Sequence, residues 1–154
     1  MSRNAVRYSL AGLARQLHCD PRALTALANA APEHYRPFTI ERPGKKPRQI
    51  DNPDDALKLV QRLIRKTLLK PLPLPDHVHG CVKKRSQFSN AAVHAGQSNV
   101  SSVDVRNFYP SLTNAMIFGL WRDLGYGPRL ASMLTRLTTT GRAARKVDQS
   151  PLEK

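Results

Sequence analysis

Residues 35–51 read YRPFTIERPGKKPRQID, and their reading decides the fold. Tyr35 to Glu41 alternates and is rich in β-formers, Pro43-Gly44 is a turn signal, and Lys45 to Ile50 resumes an extended run. The stretch predicts a β-hairpin whose turn and return strand are basic. Helical periodicity lies on both sides of it, so the expected class is α/β in the α+β sense: helix-rich, with little sheet.

Upstream, residues 8–30 predict two short helices. Leu10, Leu13, Ala14 and Leu17 fall at helical spacing. Cys19-Asp20-Pro21 then breaks and restarts the chain, since Asp20 can cap a helix and Pro21 suits a first helical position. Leu24, Leu27 and Ala28 give the second helix its apolar stripe. Two readings of the pair stay open. It is a helical cap packed on the downstream part of the chain, or a helix-turn-helix reader of DNA whose one base-reading candidate is Arg22.

Downstream, Asn52-Pro53-Asp54-Asp55 opens a helix with carboxylates where the helix dipole favours them. Its expected buried face is Ala56, Leu57, Val60, Leu63, Ile64, Thr67 and Leu68, with Lys58, Gln61, Arg62, Arg65 and Lys66 elsewhere on its surface. The run from Pro71 to Pro75 ends it, as a stiff connector or a polyproline ligand. From His79 the pattern predicts a short strand, then a helix near Ser86 to Gly96, then a strand from Val100 to Val105 with Asp104 at its end. A helix starting around residues 111–114 carries Met116, Ile117, Leu120 and Trp121, and one starting near Pro128 carries Leu130, Met133, Leu134 and Leu137. Residues 141–154 are polar and aperiodic, and disorder is expected there.

Charge narrows the partners. The 154 residues hold 25 Lys and Arg against 11 Asp and Glu, a formal +14. Twelve of those bases and five of the acids fall between residues 41 and 85, leaving that stretch at +7, half of the total. Such an imbalance costs self-repulsion in a compact state and points to a polyanion. A phosphate backbone rewards each Lys or Arg with counterion release, so nucleic acid comes first and an anionic membrane surface second. Cys19 and Cys81 are far apart and suggest neither a disulfide framework nor a zinc site. No apolar run reaches the ~20 residues of a spanning helix, and the N-terminus shows no signal peptide, so a cytoplasmic protein is expected.

Asp104 is the residue placed for chemistry. It ends a β-type run and precedes Phe108-Tyr109-Pro110. An acid there is either a turn-former or a metal ligand presented to a phosphate.

In order along the chain stand Tyr35-x-x-Phe38-x-Ile40, Gly44-Lys45-Lys46-x-Arg48-x-Ile50, Pro53-x-x-x-Leu57-Lys58, Gln61-Arg62-x-Ile64, Gly80, Arg85-Ser86, Asn90-Ala91-x-x-His94 and Asp104-x-x-x-Phe108-Tyr109-Pro110-Ser111-Leu112. This series resembles the opening motifs of reverse transcriptases of bacterial retrons and their group II intron relatives, and the likeness covers roughly residues 35–140. It implies a partial fingers–palm polymerase fold: a helical cap over 1–34, fingers over 35–99, a partial palm with its first strand over 100–140, and the tail from 141 to 154.

The resemblance also implies roles. Asp104 matches the first catalytic aspartate, which binds magnesium (Mg2+), and Tyr109 the aromatic that packs under the incoming sugar. Lys45 or Lys46, with Arg48, matches the hairpin that contacts the triphosphate. Arg62, Lys83, Lys84 and Arg85 are expected to bind nucleic acid, while Asn90 and His94 are supporting or structural. Implied partners are RNA and DNA, a structured non-coding RNA, and a second chain completing the palm, with no membrane; for retrons, antiviral defence is implied as well. The family's Tyr-x-Asp-Asp motif does not occur in the 154 residues. The chain alone is therefore expected to bind nucleic acid without polymerising. The rival reading is a small basic nucleic-acid-binding or regulatory protein using the helices at 8–30.

Overall fold

Ser9 and Asp20 start the first two helices in the way short polar side chains do. The Ser9 hydroxyl accepts the amide of Gly12 at the head of α1 (Leu10–Gln16). Asp20 accepts the amides of Arg22 and Ala23 at the head of α2 (Pro21–Asn29), with Pro21 in the first turn. One 3-10 turn, Ala31–His34, leads into β1 (Tyr35–Arg42), which returns through Pro43-Gly44 as β2 (Lys45–Pro53). Gly44 has φ +69°, a left-handed turn geometry that glycine takes without steric cost. Asp54 caps α3 (Asp55–Ile64), which runs on into a π-helical turn, Arg65–Leu69. Beyond it the chain forms α4 (Gln87–His94), α5 (Phe108–Ser111), α6 (Asn114–Asp123) and α7 (Pro128–Thr138).

The computed structural model describes residues 9–141. Residues 1–8 and the expected disordered tail, apart from Gly141, lie outside the described residues. Two units divide the chain. One runs up to Lys70 and resumes at Asn107; the other is Pro71–Arg106.

The first unit holds the core. Leu13, Leu17, Leu24, Ala28, Leu57, Val60, Ile64, Leu68, Leu130, Leu134 and Leu137 are buried in one cluster with Trp121 and Tyr126, whose rings meet edge to face at 5.5 Å. Full burial of one such leucine contributes roughly 1.5–3 kcal/mol. The cluster draws on α1, α2, α3, α6 and α7 together, so the N-terminal pair packs its apolar stripe as a cap on the later helices. On α3 the buried stripe is Leu57, Val60 and Ile64, continued by Leu68; Leu63 and Thr67 are half-buried. Ala56, expected on that face, is exposed because it lies one helical step, ~100°, away from Leu57. Met116 and Leu120 of α6 are likewise exposed, and only Trp121 of that helix is fully buried.

The sheet is one antiparallel pair. Tyr35 stands opposite Pro53, Phe38 opposite Ile50 and Ile40 opposite Arg48, with a register irregularity around Glu41. An isolated two-stranded hairpin is marginal in water, so what fixes its root matters. The Asp54 amide donates to the His34 carbonyl at 2.8 Å. The Asp54 carboxylate accepts the Leu57 amide at 3.0 Å and meets His34 Nδ1 at 2.7 Å. Gln61 Nε2 donates both to Tyr35 Oη at 3.1 Å and to the Leu137 carbonyl at 2.9 Å. That carbonyl is among the last four of α7, which have no partner within the helix. One side chain of α3 thus ties the hairpin root to the end of α7.

In the second unit, Ser86 and Ser89 form a reciprocal capping box on α4. Two sequence expectations fail in this unit. The short strand from His79 is a turn-rich loop, and Val100 to Val105 forms no strand. A strand exists through its ladder, and among the described residues the only ladder is the hairpin's own. Val103 is accordingly 90% exposed. The expected first palm strand is an unpaired segment without regular secondary structure here.

Two consequences are measurable. Gln61→Leu removes both hydrogen bonds at the hairpin root. It should lower stability by about 1–3 kcal/mol in urea unfolding, and an unchanged midpoint would contradict the bridging role. The Leu57 amide and the His34 imidazole hold the Asp54 carboxyl below the usual carboxylate range. A depressed carboxyl contributes stability that is present above its ordinary pKa and lost as pH falls through the folded-state value. Asp54→Asn should therefore flatten the acid limb of the stability–pH curve, and an equally steep limb would remove Asp54 from it.

Candidate nucleic-acid interface

The hairpin's pairing sorts its side chains onto two faces, because directly opposed residues in an antiparallel pair point the same way. Arg36, Phe38 and Ile40 share one face with Asn52, Ile50 and Arg48. Tyr35, Pro37 and Thr39 share the other with Pro53, Asp51 and Gln49. Arginines and an exposed Phe38 therefore stand on one side, and Asp51 on the side of Tyr35. Burial pushes the Tyr35 phenol up, the Gln61 contact opposes this, and the Asp51 charge adds to it. Tyr35 therefore stays neutral near pH 7 and serves as an anchor.

Lys45, Lys46 and Arg48 are all exposed on β2, as the sequence placed them. Charges held this way on one short ribbon lose little side-chain packing on meeting a polyanion and release counterions when they do. Arg36 was not singled out from the sequence, and Phe38 only as a member of a motif. The period-2 alternation that marked the strand also assigns them to the face of Arg48, once the register is known. Arg36 keeps one bond inside the protein, donating from Nη1 to the Glu33 carbonyl at 2.9 Å. Arg62 is exposed on α3.

Tyr109 lies in the first unit, on the single turn of α5, 76% exposed and edge to face with Phe108 at 5.4 Å. Asn107, with φ +54°, turns the chain into that helix. Asp104 lies in the second unit, exposed, in the unpaired segment. Among the described residues no three His, Cys, Asp or Glu side chains converge as a metal ion would require. A single carboxylate does not supply the donor set of a two-ion centre, so the described residues do not by themselves fit a magnesium pair.

Lys83, Lys84 and Arg85 also lie in the second unit, and they differ in kind. The two lysines are exposed. Arg85 is half-buried and bonded inside its own loop, to the carbonyls of Pro75 and Val78 and to the Asp76 carboxylate at 2.9 Å. Asn90 and His94 sit on α4, and both are exposed.

Fold and side chains together define a helix-rich protein that carries an exposed basic β-hairpin. No family model matches the chain. Curated proteins do. Over 133 residues it is 32% identical to the retron Se72 reverse transcriptase of Salmonella heidelberg, covering 85% of this chain and 35% of that protein. Over 134 residues it is 30% identical to the retron Ec86 reverse transcriptase of Escherichia coli, covering 86% and 42%. Over 106 residues it is 36% identical to the retron Mx65 reverse transcriptase of Myxococcus xanthus, covering 69% and 25%. The chain thus spans between a quarter and about two-fifths of the length of these relatives. The matches uphold the resemblance carried by the motifs: this is a segment of retron reverse-transcriptase type.

If the hairpin meets phosphates, replacing Lys45, Lys46 and Arg48 together with Ala should reduce the slope of log affinity against log salt by about 2 for single-stranded RNA, from ~0.7 per lost contact. Fluorescence anisotropy across a salt series measures this, and an unaltered slope would take the hairpin out of the binding surface.

Proposed function

We propose that the chain supplies the fingers and the first part of the palm of a retron-type RNA-directed DNA polymerase. The observation that carries this reading is the exposed basic hairpin, firmly rooted on a helical body, in a sequence that matches retron reverse transcriptases over most of its length. In this reading Lys45 or Lys46, with Arg48, contacts the incoming triphosphate. Tyr109 packs under its sugar, and Arg62 with Lys83 and Lys84 follows the nucleic-acid strands. Asp104 is one of several carboxylates that hold magnesium, the others coming from residues outside this chain.

The unpaired run from Val100 to Val105 supports a further part of the reading. Its ladder groups and valines are what an adjoining strand would cover, and that strand is assigned to a part of the polymerase outside these 154 residues, which a second polypeptide can supply. The template is RNA, the product DNA, and a structured non-coding RNA is a further proposed partner. No helix among the described residues is long and apolar enough to cross a membrane, and the proposed site of action is the cytoplasm.

Primer extension tests the proposal. On a primed RNA template with magnesium, the chain alone should give no product. Mixed or co-expressed with a polypeptide carrying the Tyr-x-Asp-Asp portion of a retron reverse transcriptase, it should extend the primer, and Asp104→Ala should abolish the extension. Extension that survives Asp104→Ala would refute the assignment of that carboxylate. A mixture that forms no complex and makes no product would refute the two-part reading.

A further inference from the structure

The loop that precedes α4 is held by one side chain. The Arg85 guanidinium donates to the carbonyls of Pro75 and Val78 and pairs with Asp76 at 2.9 Å, while the Arg85 amide donates to the Val82 carbonyl at 3.1 Å. At the other side of the loop His79 Nδ1 meets Ser89 Oγ of α4 at 2.9 Å. Between these ties the backbone takes two left-handed residues that are not glycine, Cys81 at φ +57° and Lys84 at φ +66°. Such residues carry a steric cost and persist where the surroundings over-determine them. Here the surroundings are the bonds of Arg85 on one side and the His79–Ser89 contact on the other.

The loop therefore has a fixed shape, and that shape exposes Lys83 and Lys84. The one acid in the run from Pro71 to Arg85 is Asp76, and its charge is already paired with Arg85. A planar guanidinium with several donors suits this task, whereas a lysine in its place offers a single point charge.

We propose that Arg85 is a positioning residue: it clasps the loop so that Lys83 and Lys84 stand ready as a pair for the phosphates of a single-stranded nucleic acid. The inference rests on the reading of the chain as a nucleic-acid-binding segment, and it reassigns Arg85 from a phosphate contact to the clasp behind one. The two lysines make the contacts, and the left-handed turn at Lys84 aims the second of them.

Charge arithmetic separates clasp from contact. A direct contact tolerates Arg85→Lys, which keeps the charge, and gains from Asp76→Asn, which removes a nearby negative charge. A clasp loses in both cases. The measurement is anisotropy of the full chain with a labelled single-stranded RNA, and with DNA of the same sequence, across a salt series.

Lys83→Ala with Lys84→Ala should flatten the salt slope by about 1.4, two contacts at ~0.7 each. Arg85→Lys and Asp76→Asn should each weaken binding several-fold at low salt, and circular dichroism should show the helical content retained. The proposal is overturned if Arg85→Lys binds like the unaltered chain while Asp76→Asn binds more tightly, or if the double lysine variant keeps its slope. Loss of binding on replacing Lys45, Lys46 and Arg48, with all loop variants unchanged, would sink the loop alone and leave the parent reading standing. Salt-insensitive binding by the unaltered chain would end both. Equal effects with RNA and DNA identify the backbone phosphates, and an effect with RNA alone adds the 2′-hydroxyl to what the loop reads.

Discussion

Gln61 is where three parts of the chain meet. Its amide reaches the Tyr35 hydroxyl at the root of the hairpin and the Leu137 carbonyl at the end of α7, while its own helix lays Leu57, Val60 and Ile64 into the core. The hairpin has almost no core of its own, and Phe38, its one large aromatic beyond the root, is half exposed. Its position is set by what holds Tyr35 and the Asp54–His34 pair. The basic residues beyond that root are thereby carried on a ribbon of fixed origin. A ribbon so rooted loses less ordering entropy on meeting a strand than a free loop would.

The arrangement also explains where the charge sits. A chain at +14 repels itself, and the structure answers by keeping the bases off the packed surfaces. Among the described residues no charged side chain is buried, and Arg136, a base of α7, reaches out to Asn29 at 2.8 Å. On the hairpin the register puts Asp51 on the face opposite Arg36 and Arg48, away from the side on which those two arginines would meet a phosphate. In the second unit Arg85 is engaged by its own loop, and Lys83 and Lys84 are left exposed beside it.

The legible features were the local ones. The Asp20-Pro21 restart, the Pro43-Gly44 turn, the Asp54 cap and the Leu57–Val60–Ile64 stripe are each dictated by chemistry within a few residues, and each stands where the sequence put it. Features that depend on distant partners were read less well. Val100 to Val105 has the β-branched pattern of a strand, but a strand is a property of a pair, and nothing among the described residues pairs with it. Arg85 looked like one more cation in a basic run. Its capture by Pro75, Asp76 and Val78 depends on a loop path that composition does not encode. The Gln61 bridge spans 76 residues to Leu137, and no spacing rule announces it. The ordered series of weak motifs was the strongest long-range signal, and the retron relatives uphold it.

Central to all of this is a helical body, complete without the Val100–Val105 segment, that carries the basic hairpin. Native-state hydrogen exchange on the full chain tests that claim most directly, since it ranks local stability residue by residue. Amides of Leu57 to Ile64 and of Leu134 to Leu137 should exchange slowest and together. The root pairs of the hairpin should come next, and Val103 to Val105 should exchange near the unprotected rate. Protection of Val103 to Val105 equal to that of α3, in a monomer with one sharp cooperative melt, would contradict the claim: that segment would then be part of a closed fold, with no place left for a partner strand.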